Sequence, residues 1–401
     1  KMVILVKKYR KIINLLIFAA FLGFFFAFLK HEGHWIKLTN GLKSIGWYLY
    51  PLILIFIIFK AILIHELGHL FSFLLNGIRI KALYVLIFVL MKNENNKWRL
   101  KVFPKYIKFL GGLVVPKLPS IRSEEEIKEI RKSFSKALIA GPNTSIYYFI
   151  IITILFLVFL LFTNLNTLIA LLFLNFIITG FLTVLVVLSS KVHTTEMYGD
   201  YVAYSKFLED DKFALVQILQ YLSFSSLKTK ESDQFFYMFL TKYYETNRLS
   251  YNMFDLMLST YFLNFFIDSN DTINNSVDKT IKYYNVKRLA SSKYGRELAY
   301  LVAASFYKKR DSKNAYEYFK IINETKNNNL EEEQIELLEK EYEHLLNLND
   351  NSNYFISKKK YIKNNLFVFE PILNVDEMIN DMNKQLRFVE YKTNLYCPID
   401  K

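Results

Sequence analysis

Four apolar runs, each about long enough to cross a bilayer, dominate the first half of the chain: Ile12–Leu29, Trp47 to about Asn76, Ala137–Phe162 and Leu165–Leu188. A spanning helix needs about 20 predominantly apolar residues. Inside hydrocarbon every backbone N–H and C=O must find a partner within the protein, which leaves such runs little choice but the helix. Lys7, Lys8, Arg10 and Lys11 precede the first run. It is long for the apolar part of a signal peptide and no small-residue cleavage site follows it, so it reads as a first span with a cytoplasmic N-terminus. Trp47, Tyr48 and Tyr50 suit an interfacial belt at the start of the second. Only Thr163-Asn164 separates the last two, which therefore form an outward-facing hairpin.

Charge places the loops. Residues 1–200 hold 24 Lys and Arg against 9 Asp and Glu, net +15, whereas residues 201–401 are net −1. The excess lies between the apolar runs, as in cytoplasmic loops of membrane proteins. No basic stripe with interleaved aromatics occurs, so nucleic acid is not an expected partner. Residues 30–45 read as a short polar loop in which His31 and His34 are ordinary exposed residues. Residues 78–136, net +9, read as cytoplasmic. Their short apolar stretches, Leu83–Met91 and Tyr106–Val115, fit interfacial strands or a re-entrant loop better than spans. The single cysteine, Cys397, excludes an intrachain disulfide and a Cys-based zinc site.

After Ser189 the pattern is amphipathic and helical. "ELAYLVAASFYKKRDSKNAYEYFKII" (297–322) reads as two short helices with small residues at their crossing, like one tetratricopeptide-type hairpin, though no strict repeat period is found. The expected fold is mainly α: a polytopic α-helical membrane domain over 1–200, with about four spans plus a re-entrant or interfacial loop, then a cytoplasmic, tetratricopeptide-like helical domain over 201–345 and a C-terminal tail over 346–401. Both termini are expected in the cytoplasm. The Lys-, Asn- and Ile-rich composition suggests, by association, an AT-rich bacterial genome and hence a bacterial plasma membrane.

Inside the second run stands "LIHELGHLF" (63–71). On a helix His65 and His69, at i and i+4, share one face and can bind one zinc ion, while Glu66 beside them is placed to take a proton from a metal-bound water. Ionisable groups at membrane depth cost roughly 2.5–3.5 kcal/mol each on insertion scales, so their presence asks for a function. Lys60, nearly opposite His69 on that helix, reads as a snorkelling or bundle-facing residue. Asn76 marks the cytoplasmic helix end, which puts His69 about 10 Å and His65 about 16 Å from it at 1.5 Å per residue. Water can reach that depth through a cavity opening inward. A third ligand is needed, and His193, Glu196 and Asp200 after the fourth run all qualify.

"HELGHLFSFLLNGIRI", "FLGGLVVPKLP" (109–119) and "KALIAGPNTSI" (136–146) follow in the order seen in the site-2 proteases, and the chain resembles that family over about residues 46–210. The resemblance implies an intramembrane zinc metalloprotease, with His65 and His69 as zinc ligands, Glu66 as catalytic base and Gly141, Pro142 and Asn143 as support of the substrate cleft. The family's asparagine falls at Ser145 here, with Asn143 nearby. Its Asp-Gly pair is reversed, as Gly199-Asp200, and implies Asp200 as the third ligand. "EMYGDYVA" (196–203) also looks like the zinc-binding glutamate element of integral-membrane gluzincins, which would assign that ligand to Glu196. The expected reaction is hydrolysis of a peptide bond in a membrane-embedded or membrane-docked substrate near the cytoplasmic leaflet. The C-terminal helical domain is expected to take a cytoplasmic protein partner. The alternative is a non-catalytic membrane scaffold whose helical array recruits partners. Glu66 argues against it, since a structural site needs no base and commonly has four protein ligands.

Overall fold

The computed structural model describes residues 33–92, 97–109, 111–194, 198–224, 230–269, 273–366 and 369–386, with isolated positions at 23, 27, 28, 30 and 271. The first expected span, Ile12–Leu29, falls almost wholly outside them. So do His31 and Glu196.

Helix α1 (His34–Ser44) stands where a polar loop was expected. His34, Leu38 and Gly41 recur at helical spacing and form its buried face, so His34 is buried rather than exposed. The face is short and holds one large aliphatic side chain, too little to show through a polar stretch. A 3-10 turn, Trp47–Leu49, leads into α2 (Tyr50–Leu75), the helix that carries His65, Glu66 and His69. Its end is set by Asn76, whose side chain donates to Ser72 O at 2.7 Å, and by Gly77, whose φ of 78° favours glycine. Lys60 lies over the rings of Phe56 and Tyr148, 5.6 Å from each centroid, which satisfies it within the bundle.

The basic stretch that follows is an antiparallel sheet, in line with the strand expectation. Strands β1 (Arg79–Val85), β2 (Phe88–Lys92), β3 (Trp98–Val102) and β4 (Gly112–Lys117) lie in the order β3-β2-β1-β4. Leu83 pairs with Leu90 on one side and Val114 on the other. Successive residues face opposite ways. Leu83, Val85 and Val114 therefore join the core shared with α2, while Ala82, Tyr84, Val89 and Val115 form a second core with Tyr106 and Ile372. Phe88, at the β1–β2 turn, meets Phe59 of α2 edge-on at 5.5 Å. The sheet thus runs back along the membrane helix.

Helix α3 (Glu124–Phe162) begins 13 residues before the expected Ala137. Ser123 caps it, accepting from Glu126 N at 3.2 Å, and Glu124, Glu125 and Glu126 fill the first turn, where the helix dipole favours them. After the turn at Thr163-Asn164, α4 (Asn166–Ser189) returns alongside. Three helices among the described residues are long and apolar enough to cross a membrane: Trp47–Leu75, Glu124–Phe162 and Asn166–Ser189. Lys37 of α1 donates to Thr163 O at 2.9 Å, so α1 lies at the end of the bundle away from the sheet.

The rest is helical: α5 (Asp200–Glu209), α6 (Asp211–Phe224), α7 (Lys230–Thr246), α8 (Met253–Asp268), α9 (Asn275–Tyr283), α10 (Val286–Ala290), α11 (Arg296–Lys308), α12 (Ser312–Glu324), α13 (Glu332–Leu345), α14 (Ser352–Ser357), α15 (Lys359–Asn365) and α16 (Val375–Met382). Helices α11 and α12 are the pair expected at 297–322, with Ala299, Ala303 and Ala315 fully buried between elements. One core cluster runs from Phe73 through Phe134 and Phe213 to Leu346. Beyond it, Phe369, Ile372 and Leu373 pack on the second face of the sheet, and Glu370 pairs with Lys105.

Candidate metal centre

Asp200 opens α5, and the chain folds back to put it against α2. His193 and Tyr198 pair as an isolated antiparallel bridge, and Ser190 O accepts from Tyr201 N at 3.0 Å. Asp200 Oδ2 then lies 3.5 Å from His65 Nε2 and 3.7 Å from His69 Nε2, while the two Nε2 atoms are 3.2 Å apart. Ligands held tetrahedrally about 2.0–2.1 Å from a zinc ion would be separated by about 3.3–3.4 Å. The observed triangle has that size. Among the described residues these three form the one group of His, Cys, Asp and Glu ligand atoms that converge within 4.8 Å. His193 is exposed, lies against Tyr198 and is not part of it.

The other ring nitrogens fix which tautomer each histidine adopts. His69 Nδ1 lies 2.7 Å from Ala137 O. A carbonyl only accepts, so Nδ1 carries the proton and Nε2 is left with its lone pair. His65 Nδ1 lies 3.1 Å from Ser145 Oγ, which itself donates to Gly141 O at 3.3 Å. With its own proton so engaged, the hydroxyl accepts from His65. Both Nε2 atoms are thereby prepared as metal donors by partners on α3. Burial pushes the Asp200 carboxyl up, but His65 and His69, when protonated, and the Ser190 hydroxyl hold it below the ordinary carboxylate range. It is ionised, as a metal ligand must be.

Glu66 is 5% exposed. Strand β4 covers it, and Gly112 makes that possible, because a Cβ there would stand 2.3 Å from Glu66 Cγ. Gly141 has the same role for the ligand, since its Cβ would come within 2.2 Å of His69 Nε2. The adjoining Pro142 lies buried within α3. Asn143 does not face the cleft. Its Oδ1 accepts from Tyr201 Oη at 3.2 Å, tying α3 to the start of α5 beside Asp200. The reason is helical register. Positions 141 and 145 are one turn apart on one face, and 143 points roughly to the other side. The part expected of Asn143 toward the cleft is taken by Ser145, which orients His65.

These groups open on a cavity of about 1200 Å³ with largely apolar walls, including Ile58, Ile62, Leu182 and Val186. Sequence reasoning missed one wall, helix α6, which supplies Gln217, Gln220 and Tyr221. Burial, then Asp200 and Glu66, push the Tyr221 hydroxyl up to about 12, so it stays a neutral donor. No local motif marks these residues, since it is the fold of the helical half that brings them to the site.

The arrangement offers three ligands on one ion, a buried carboxylate beside them and room for a peptide. No curated protein and no solved structure matches the chain. The sequence model of Peptidase family M50 matches residues 53–302, which takes in α2, the sheet, α3, α4, Asp200 and α6. With that match covering more than half of its length, the chain belongs to Peptidase family M50, the site-2 protease family of membrane metalloproteases.

Proposed function

We propose that the chain is a zinc-dependent intramembrane endopeptidase that hydrolyses a peptide bond of a membrane-embedded or membrane-docked substrate near the cytoplasmic leaflet. The observation that carries this reading is Glu66, buried beside the His65, His69 and Asp200 triangle at the wall of a cavity within membrane-length helices. His65 and His69 would hold the ion through Nε2 and Asp200 through a carboxylate oxygen. When bound, zinc lowers the pKa of a coordinated water toward neutrality and polarises the scissile carbonyl. Glu66 takes the proton of the attacking water and returns it to the leaving amine. Its cover under Gly112 keeps the carboxylate in place and limits bulk water around it. Sheet β1–β4 and helix α6 flank the cavity, so an unwound substrate segment would lie between them.

The remaining parts of the reading concern setting. The basic loops favour both termini in the cytoplasm of a bacterial cell, with a fourth span before α1. The helical half would present its array of paired helices, of which α11 and α12 resemble a tetratricopeptide hairpin, to a cytoplasmic protein partner. Candidate substrates are a membrane-tethered regulator, a signal-peptide remnant or a small secreted-peptide precursor. The test is comparative membrane peptidomics of cells carrying the wild type and Glu66→Gln. A peptide with a new terminus near a membrane boundary should be present in the first and absent in the second. Identical peptide sets under conditions where the protein is expressed would refute proteolysis.

A further inference from the structure

Water adding to a peptide carbonyl leaves negative charge on its oxygen, and a fixed hydrogen-bond donor at that oxygen is worth about 10²–10³ in rate. Most hydroxyls around the metal cavity are spent elsewhere or out of reach. Ser145 donates to Gly141 O and accepts from His65. Thr179 donates to Asn175 Oδ1 at 3.1 Å, and Ser189 to Val186 O at 3.0 Å. Ser190 donates to Asp200. The Tyr148 hydroxyl is shut off from the open space.

Tyr221 is placed differently. It lines the cavity from α6, a helix that packs on α3 and on β4, the strand that covers Glu66. Its ring centroid lies 5.1 Å from that of Phe134 and, edge-on, 6.1 Å from that of Phe224. It also packs against both core clusters that meet at the sheet. A side chain held on so many sides has little freedom to swing.

The Tyr221 hydroxyl senses the charges of Asp200 and of Glu66, which come from α5 and α2. The attacked carbon must lie within reach of the ion that Asp200 would ligate and of the water that Glu66 deprotonates. A hydroxyl that senses both carboxylates borders that same space. Burial, with the two charges adding to it, keeps the phenol protonated up to about 12. At neutral pH it therefore has a proton to share.

We propose that the Tyr221 hydroxyl is a catalytic donor, which hydrogen-bonds the carbonyl oxygen of the scissile peptide as negative charge grows there. The phenol keeps its proton throughout. Proton transfer stays with Glu66, which takes the proton of the attacking water and returns it to the leaving amine. The inference rests on the proteolysis reading, and it gives the helical half a part in the chemistry beyond the ligand Asp200.

The test uses the full chain in detergent, loaded with zinc, and fluorescein-labelled unfolded casein as the substrate. Tyr221→Phe keeps the ring between Phe134 and Phe224 and removes only the donor. Its kcat should fall on the order of 100-fold. KM should stay unchanged, the signature of a contact made only in the transition state. Zinc content and thermal unfolding should match the wild type. The proposal is overturned if Tyr221→Phe cleaves at the wild-type rate, if KM rises while kcat is kept, or if zinc is lost. Glu66→Gln separates this result from the broader reading. Wild-type protein no faster than Glu66→Gln defeats proteolysis itself and the proposal with it, whereas fast cleavage by both the wild type and Tyr221→Phe defeats the donor alone.

Discussion

Ser145→Ala tests the assignment of the metal donors most directly. The hydroxyl is the acceptor that keeps the His65 proton on Nδ1, at 3.1 Å, and it is itself oriented by Gly141 O. His69 takes its acceptor from the backbone, at Ala137, which no side-chain substitution removes. Ser145 is therefore the one such partner open to substitution. Without it, the buried N–H of His65 loses its partner, at a cost of about 1–3 kcal/mol. The imidazole can also switch tautomer and lose Nε2 as a donor. Either route weakens the metal site, and partners of this kind typically carry about 10–100-fold in affinity. The assay is competition for zinc between purified protein and a chromophoric chelator. Ser145→Ala should bind zinc about 10–100-fold more weakly, and Ser145→Thr should keep most of the affinity. Asn143→Ala should lose less than Ser145→Ala, because Asn143 reaches only Tyr201. Wild-type affinity in Ser145→Ala, or a larger loss in Asn143→Ala, would refute the orientation argument.

Gly141→Ala would drive a methyl group to within 2.2 Å of His69 Nε2, so elemental analysis of the purified variant should show zinc lost. Gly112→Ala should have the opposite signature. Its methyl displaces Glu66 but no ligand, so zinc is retained while cleavage falls about 100-fold, as for a catalytic group misplaced by about 1 Å. Glu341 gives a pH dependence. Its folded pKa of about 8 exceeds the ordinary 4.5, so the folded state holds the proton more tightly. The stability this gives is complete below about 4.5 and is lost as pH rises through 8. Thermal unfolding in detergent should show a decline across that window that is shallower in Glu341→Gln.

How much of this was legible depended on the range of the interactions. The apolar runs gave α2 and α4 nearly to the residue, because hydrocarbon imposes helix on them. They hid the start of α3, where Glu124 to Arg131 are mostly polar. The signal there was Ser123-x-x-Glu126, a cap rather than a run. All five residues of β3 are exposed, so its stretch carries no buried face for alternation to reveal. His65, Glu66 and His69 were legible because one helix turn holds them. Asp200 needed a family resemblance, since 131 residues separate it from His69. Ser145 stood at the family's asparagine position, but its bond to His65 could not be seen without the crossing of α2 and α3, and register turns the nearby Asn143 away.

A division of the chain at residue 200 separates what the metal centre joins. Asp200 is the first residue of α5, and three contacts hold that helix in place: Ser190 O at its start, Asn143 through Tyr201, and Arg131, whose guanidinium donates to Phe207 O and to Leu208 O, the latter at 2.8 Å. Arg131 belongs to the polar extension of α3 that precedes its apolar run. That extension lets one helix carry the partner of His65 at membrane depth and the anchor of α5 outside it. Helix α6 continues the same logic. Gln217, Gln220 and Tyr221 face the metal cavity, while Leu219, Leu222 and Ser223 face a second cavity, of about 260 Å³, behind it. A single helix of 14 residues is therefore a wall of both. Neither half of the chain holds a complete site alone: the membrane helices supply two ligands and the base, and the helical half supplies the third ligand and the α6 wall.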